Sequence, residues 1–265
     1  MIDFRKLRLC IWANLRSIII SKNFGLSVVL MFVILFAEVA SDAFTTPWRQ
    51  MDQTGYGDAY FFNISIHFGY YIYAAPLLCA FAASWLFCDD ADTGYYRSRL
   101  MKSGKREYQY GLFLGTTLGG GLVLMIGILL FATSLAVIYP PYYPATGMAV
   151  MNAWIPVLQG PIGNWNYMIC NALLAFIFGM IWSGIGLIFS VLSHNRYISY
   201  LSPFIICLSL VLVMPVELQP LEMLVQMNWN GFTFPEILVY QSILYIGVMV
   251  LFIVAFERRV IRERY

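Results

Sequence analysis

Six apolar runs, near residues 24–41, 67–88, 110–138, 167–191, 198–216 and 237–256, constrain this chain more than any other feature of its sequence. Crossing a hydrocarbon layer about 30 Å thick takes about 20 mostly apolar residues, and in lipid every backbone N–H and C=O must find its partner within the protein. A helix meets that demand inside one segment, so each run predicts a transmembrane helix. The expected fold class is an all-α membrane protein, residues 1–265 forming a single transmembrane domain of six spans. The third run is long enough to tilt or bend. Composition agrees: 60% of residues are hydrophobic, 11% are charged, and the mean hydropathy is +0.72, which is outside the range of soluble domains. A net charge of +2 is too small to point to nucleic acid, and no nucleic-acid partner is expected.

The positions of the charges are more informative than their sum. The first tail holds Arg5, Lys6, Arg8, Arg16 and Lys22, and the loop after the second run holds Arg97, Arg99, Lys102, Lys105 and Arg106. Arg196 and the final Arg258, Arg259, Arg262 and Arg264 fall on the same side, leaving only Arg49 of the 16 basic residues opposite. By the positive-inside rule the basic side is cytoplasmic, and an even number of spans brings both termini there. The expected location is a bacterial cell membrane, crossed several times. The five cysteines form no C-x-x-C pair and none lies in an outer connection, which argues against a disulfide framework. The first 22 residues interleave basic and apolar positions, so they do not read as a secretory signal peptide.

Within residues 2–22, Phe4, Leu7, Ile11, Leu15 and Ile18 recur at helical spacing while Arg5, Lys6 and Arg16 fall on the other side. That pattern predicts an N-terminal interfacial amphipathic helix along the inner leaflet, with Trp12 at headgroup depth and the basic face toward anionic lipid. Three outer connections are expected: 42–66, 139–166 with Tyr-Pro-Pro-Tyr-Tyr-Pro at 139–144, and 217–236. The last is too polar to span yet carries Leu221, Met223, Leu224, Val225, Met227 and Trp229, which predicts a short re-entrant or cap segment before the final span.

The side-chain inventory offers little for an intramembrane enzyme. His67 and His194 are the two histidines, they lie far apart, and no H-E-x-x-H occurs. Ser183 lies in Ile-Trp-Ser-Gly-Ile-Gly, which lacks the preceding glycine of a nucleophile elbow, so a packing role fits it better. No G-x-x-x-x-G-K-[ST] is present, and Gly119 to Gly121 sit in an apolar helix, where they allow close helix approach or a bend. Candidates for a translocation path are Glu38, Tyr70, Tyr73, Asn171 and Gln241. Each has a second reading: Glu38 near the outer boundary can snorkel to water, Tyr70, Tyr71 and Tyr73 can belong to an interfacial belt, and Asn171 and Gln241 can join helices by hydrogen bonds. The sequon Asn63-Ile64-Ser65 is expected outside.

The loop 89–108 is the most distinctive segment: Phe87-Cys88-Asp89-Asp90-Ala91-Asp92-Thr93-Gly94-Tyr95-Tyr96-Arg97-Ser98-Arg99-Leu100, then Ser103-Gly104-Lys105-Arg106-Glu107. It resembles the corresponding loop of ABC-transporter permeases of the type-2 exporter class. In those proteins an acidic residue ends span two, a glycine opens a short helix, and a small residue followed by a basic one precedes span three. The resemblance implies that residues 92–102 form a coupling helix docking into a cytoplasmic ATPase, through Asp92, Tyr95, Tyr96, Arg97, Arg99 and Leu100. Asp89, Asp90 and Asp92 at its start and Arg97, Arg99 and Lys102 toward its end suit the helix dipole. Members of the family often carry a lysine a few residues into span three, where this chain has Tyr110 and Gly111.

By that resemblance the chain binds no cofactor itself. ATP and Mg²⁺ would sit on partner ATPase subunits, and a second permease, identical or related, would complete the complex. The cargo implied is amphiphilic: an antimicrobial peptide, an antibiotic or a lipid-like molecule, with polysaccharide export an alternative in the same class. A membrane sensor or assembly subunit that moves nothing is a reading from a different class, and an intramembrane enzyme is a third. The charge pattern makes a direct prediction. A thiol introduced as Arg97→Cys should react with membrane-impermeant maleimide only from the inner side of the membrane, and labelling from outside would reverse the topology.

Overall fold

A computed structural model describes residues 3–45, 58–139, 161–215, 218–225 and 234–262. The expectations for Arg49, residues 140–144, Met227, Trp229 and Arg264 fall outside the described residues. Among those described, the chain is helical: α1 (Phe4–Ile20), α2 (Lys22–Thr45), α3 (Asp58–Phe68), α4 (Tyr71–Ala83), α5 (Leu86–Asp92), α6 (Tyr95–Ser103), α7 (Lys105–Ile138), α8 (Pro161–Ser193), α9 (Arg196–Val213), α10 (Pro220–Val225) and α11 (Phe234–Arg262). Six stretches are long and apolar enough to cross a membrane: Lys22–Ala40, Tyr71–Asp92, Lys105–Ile138, Trp165–Ser193, Arg196–Val213 and Phe234–Arg259. The protein is a multi-pass, all-α membrane protein.

The centre of the bundle is α7, whose 34 residues make a rod of about 51 Å. Its glycines let neighbours reach its backbone. A Cβ on Gly111 would lie 2.5 Å from Cβ of Cys10, on Gly115 2.7 Å from Cβ of Asn14, and on Gly119 2.8 Å from Cγ2 of Ile18. These pairs advance four residues at a time on both helices, so α1 runs parallel to α7 and in register with it. On another side, a Cβ on Gly179 would lie 2.7 Å from the Gly120 carbonyl oxygen, and one on Gly121 would lie 2.6 Å from the Phe176 oxygen. Here α8 comes against α7 backbone to backbone, in the opposite direction. Gly127 accepts Met31 of α2, to whose Cγ a Cβ would come within 2.5 Å.

The amphipathic helix expected before the first span is present as α1, capped by the Asp3 carboxylate, which accepts from the backbone N–H groups of Arg5 and Lys6. The glycine notch on α7 receives it lengthwise. Asn14 and Ile18 are buried there, while Phe4, Leu9, Trp12 and Ile20 are left exposed.

The second run, expected over 67–88, crosses as the stretch Tyr71–Asp92, and a break before it separates it from α3. α3 ends at Phe68 and α4 begins at Tyr71. Glu38 occupies the break: its Oε1 accepts from the Tyr70 backbone N–H at 2.9 Å. A carboxylate at the first turn of α4 satisfies a free amide and complements the helix dipole. α3 itself packs inward, with Phe61, Phe62, Ser65 and Ile66 buried. Asn63 accepts from Tyr167 Oη at 2.8 Å, and Ser65 Oγ donates to the Leu35 carbonyl. The sequon is therefore built into a packed helix, with its serine hydroxyl buried.

At that same end, α10 buries Leu221 and Leu224, and the Gln219 side chain donates to the Val211 and Met214 carbonyls that α9 leaves open. This described part of 217–236 forms a cap.

Two substitutions separate the tight contact from open space. Gly120→Val drives a branched side chain into Ser183 and the Gly179 carbonyl, and is expected to cost about 1–3 kcal/mol, seen as a lower melting temperature in detergent. Gly247, beside which a Cβ meets nothing within 4 Å, should accept alanine with unchanged or raised stability.

Candidate coupling surface at the basic end of the bundle

The short helix α6 is set between two glycines in conformations that L side chains rarely adopt, Gly94 at φ +68° and Gly104 at φ +94°. Each permits a sharp change of direction at small steric cost. A Cβ on Gly104 would also strike the Glu107 carboxylate. The glycine that opens the helix and the one that precedes the third span therefore have a defined backbone task.

Two polar attachments tie α6 and the helix before it, α5, to the bundle. At its start, Arg196 Nη2 reaches Asp89 at 3.1 Å and Asp92 at 3.0 Å, joining the first turn of α9 to the end of α5. Further along, Arg99 Nη1 donates to Asn14 Oδ1 at 2.7 Å and lies 3.2 Å from Asp90 Oδ2, which also accepts from Tyr108 Oη at 2.8 Å. Asp90, Asn14 and Tyr108 are buried. One guanidinium thus links four elements: α6, α5, α1 and α7. Beneath it lies an aromatic layer in which Phe87 meets Tyr96 at 6.1 Å and Phe256 at 6.2 Å, with Tyr108 6.1 Å from Phe256. Lys105 reaches Glu257 at 3.7 Å, and Glu107 accepts from the Asp3 backbone N–H at 3.0 Å. Residues from the first tail, the 89–107 loop, the α8–α9 turn and the last helix all meet at this end.

His194, in the α8–α9 turn, adopts a left-handed φ of +53° and meets the edge of Phe87 at 5.6 Å. Burial pushes its pKa down and the Arg259 guanidinium adds to that, with Asp92 pulling the other way, so the neutral imidazole is favoured.

The residues expected to couple to an ATPase divide into two groups. Asp92 is exposed but paired with Arg196, Tyr96 is buried against Phe87, Leu100 is half-buried against the core, and Arg99 turns inward. Tyr95 and Arg97 face outward, with the Arg99 guanidinium 4.8 Å from the Tyr95 ring centroid. Met101, 82% exposed, and Lys102 complete that outward face. The sequence did not single out Met101 as part of the surface, Asn14 as a partner of Arg99, or Tyr108 as a donor to Asp90. Asp90 had a legible signal, since Ala83, Phe87 and Asp90 recur at helical spacing on a buried stripe. Asn14 had one too, as the polar member of the Leu7, Ile11, Asn14, Ile18 stripe.

Of the path candidates, Glu38 and Tyr70 are brought together. Glu38 caps α4. Tyr70 and Tyr73 are exposed on the outer wall, 75% and 51%. Asn171 on α8 and Gln241 on α11 are buried, and the Asn171 amide donates to the Tyr167 carbonyl. Ser183 donates to the Gly179 carbonyl at 2.7 Å and is sealed beneath Gly120.

The Arg99 knot is testable as a unit. Arg99→Gln leaves a buried carboxylate without its cation and is expected to cost about 2 kcal/mol. Tyr108→Phe should cost about 1 kcal/mol, and Asp90→Asn combined with Arg99→Gln should cost less than the sum of the single losses in thermal unfolding, a coupling of about 1 kcal/mol or more. Comparison with protein-family models, with curated proteins and with solved structures finds no match for this chain.

Proposed function

We propose that this chain is the permease subunit of an ATP-driven ABC exporter, energised by a separate cytoplasmic ATPase and moving an amphiphilic cargo such as a peptide, an antibiotic or a lipid-like molecule out of the cell. The observation that carries the reading is α6: a two-turn helix, bracketed by left-handed glycines, fastened through Arg99 and Arg196, and presenting Tyr95, Arg97, Met101 and Lys102 outward. A helix held this firmly moves with the bundle, so a partner gripping its outer face can move α1, α5, α7 and α9 together. An aromatic ring, an arginine and a flexible methionine in one patch are the residue types that anchor protein interfaces.

The basic end lies on the cytoplasmic side in this reading, by the positive-inside rule. The path runs between this bundle and a second permease, because α7 and α8 meet backbone to backbone at Gly120 and Gly179 and leave no room between them for cargo. Tyr70 and Tyr73, exposed on the outer wall, belong to a surface that such a path can use. Asn171 and Gln241 then serve helix packing rather than the path.

Purification from native membranes in mild detergent should bring down a Walker-containing ATPase. Arg97→Glu and Met101→Glu are expected to weaken that association at least about tenfold, roughly 1.4 kcal/mol, and to abolish cargo-stimulated ATP hydrolysis without lowering the melting temperature. Absence of an ATPase from the purified complex would instead favour a sensor or assembly subunit.

A further inference from the structure

The outward face of α1 has a composition that neither water nor bulk lipid alone explains. Phe4 is 80% exposed and Trp12 63%, yet between them stands Arg8, four residues from each, with Arg5 and Leu9 alongside. Four residues is about one helical turn, so Phe4, Arg8 and Trp12 lie one above another. A shallow concavity runs along this part of the helix, lined by these five residues and by the edges of Leu7 and Ile11. Among the described residues no carboxylate lies within ion-pair distance of Arg5, Arg8 or Arg16. Asp3, the one acid on this helix end, is committed to the Arg5 and Lys6 backbone amides.

The direction of α1 supplies the second part. The pairs Cys10 with Gly111, Asn14 with Gly115 and Ile18 with Gly119 keep it parallel to α7, which crosses the membrane. Its exposed face therefore runs in the direction of α7 rather than across it. From the N-terminus that face passes from Phe4, Arg5 and Arg8 through Leu9 and Trp12 to Ile19 and Ile20, and Ile20 is 70% exposed. Arg16 on its flexible stem can turn its head back toward the charged end. Twelve residues separate Arg8 from Ile20, or about 18 Å of helix, close to the roughly 15 Å of one leaflet's hydrocarbon. The order of cation, indole and aliphatic surface matches the order of phosphate, glycerol ester and acyl chain in one lipid standing beside the helix.

We infer that the outward face of α1 is a binding site for an anionic glycerophospholipid, its phosphate held between Arg5 and Arg8, its glycerol region against Trp12 and its acyl chains against Ile19 and Ile20. Two unpaired guanidinium groups select a net negative headgroup over a zwitterionic one, whose own ammonium offsets the phosphate. Trp12 fixes the depth, since an indole is most stable at the ester level. The site does not depend on the exporter reading, because it uses neither α6 nor any ATPase.

The test uses the full chain, purified, stripped of lipid and titrated in detergent with phosphatidylglycerol or phosphatidylcholine, with bound lipid counted by native mass spectrometry. One phosphatidylglycerol is expected to stay bound where phosphatidylcholine is lost. Arg5→Gln with Arg8→Gln should weaken it about thirtyfold, from roughly fivefold for each cation near a charged surface. Arg97→Gln with Lys102→Gln removes the same charge elsewhere and should leave it bound. The Trp12 contribution to fluorescence, isolated by Trp12→Phe, should be quenched by brominated phosphatidylglycerol, and millimolar inorganic phosphate should not displace the lipid. Equal retention of the two lipids, undiminished binding by the Arg5/Arg8 variant, an equal loss in the Arg97/Lys102 variant, an unquenched Trp12, or displacement by free phosphate would each overturn the assignment. A shared melting temperature among the variants confirms that the comparison is made on folded protein.

Discussion

In lipid, helices gain little by hiding apolar surface from one another, so close approach and hydrogen bonding must supply the attraction. The rest of this structure depends on how α7 meets that requirement. Its glycines face three directions: Gly111, Gly115 and Gly119 toward α1, Gly120 and Gly121 toward α8, and Gly127 toward α2. Backbones that near each other place many atoms at van der Waals distance, and each contact is small but the number is large. With α7 gripped on all these sides, the other helices have a fixed reference.

Polar groups within the spans follow from the same need. Ser199 Oγ donates to Ser84 and lies 3.0 Å from the Gly186 carbonyl, joining α9 and α8 to the short gap between α4 and α5. The Thr117 and Tyr245 hydroxyls meet at 3.0 Å, and the Gln109 amide donates to the Ile253 carbonyl, both holding α11 to α7. Glu38 spends its charge on the start of the second span. These polar residues act as connectors between helices. Chemistry directed outward is left to the surfaces: the basic end around α6 and the graded face of α1.

Several features were legible beforehand, and the reason lies in how local their energetics are. The apolar runs announced six spans because transfer of a segment into lipid depends on that segment alone. Gly94 and Gly104 stood out on either side of a short polar helix, and the structure gives both a positive φ. Arg99 shows where such reading stops. Among the exposed-looking basic residues of 97–106 it is the one bonded to Asn14, 85 positions earlier in the chain. Nothing within the loop distinguishes it from Arg97, which faces outward. The helix over the first twenty residues was likewise apparent, but its apolar edge suited a lipid surface and a glycine-lined helix equally well.

The sequence by itself determined the number of membrane-crossing helices, their approximate lengths and the concentration of basic charge at one end, because run length and residue charge act without reference to any distant partner. Only the tertiary structure decided that α1 stands along α7, that Glu38 caps the start of the second span at Tyr70, and which residues of α6 turn inward. Those outcomes depend on pairs remote in sequence, such as Gly115 with Asn14, Glu38 with Tyr70 and Asp90 with Arg99, which come within contact distance only after the bundle has closed.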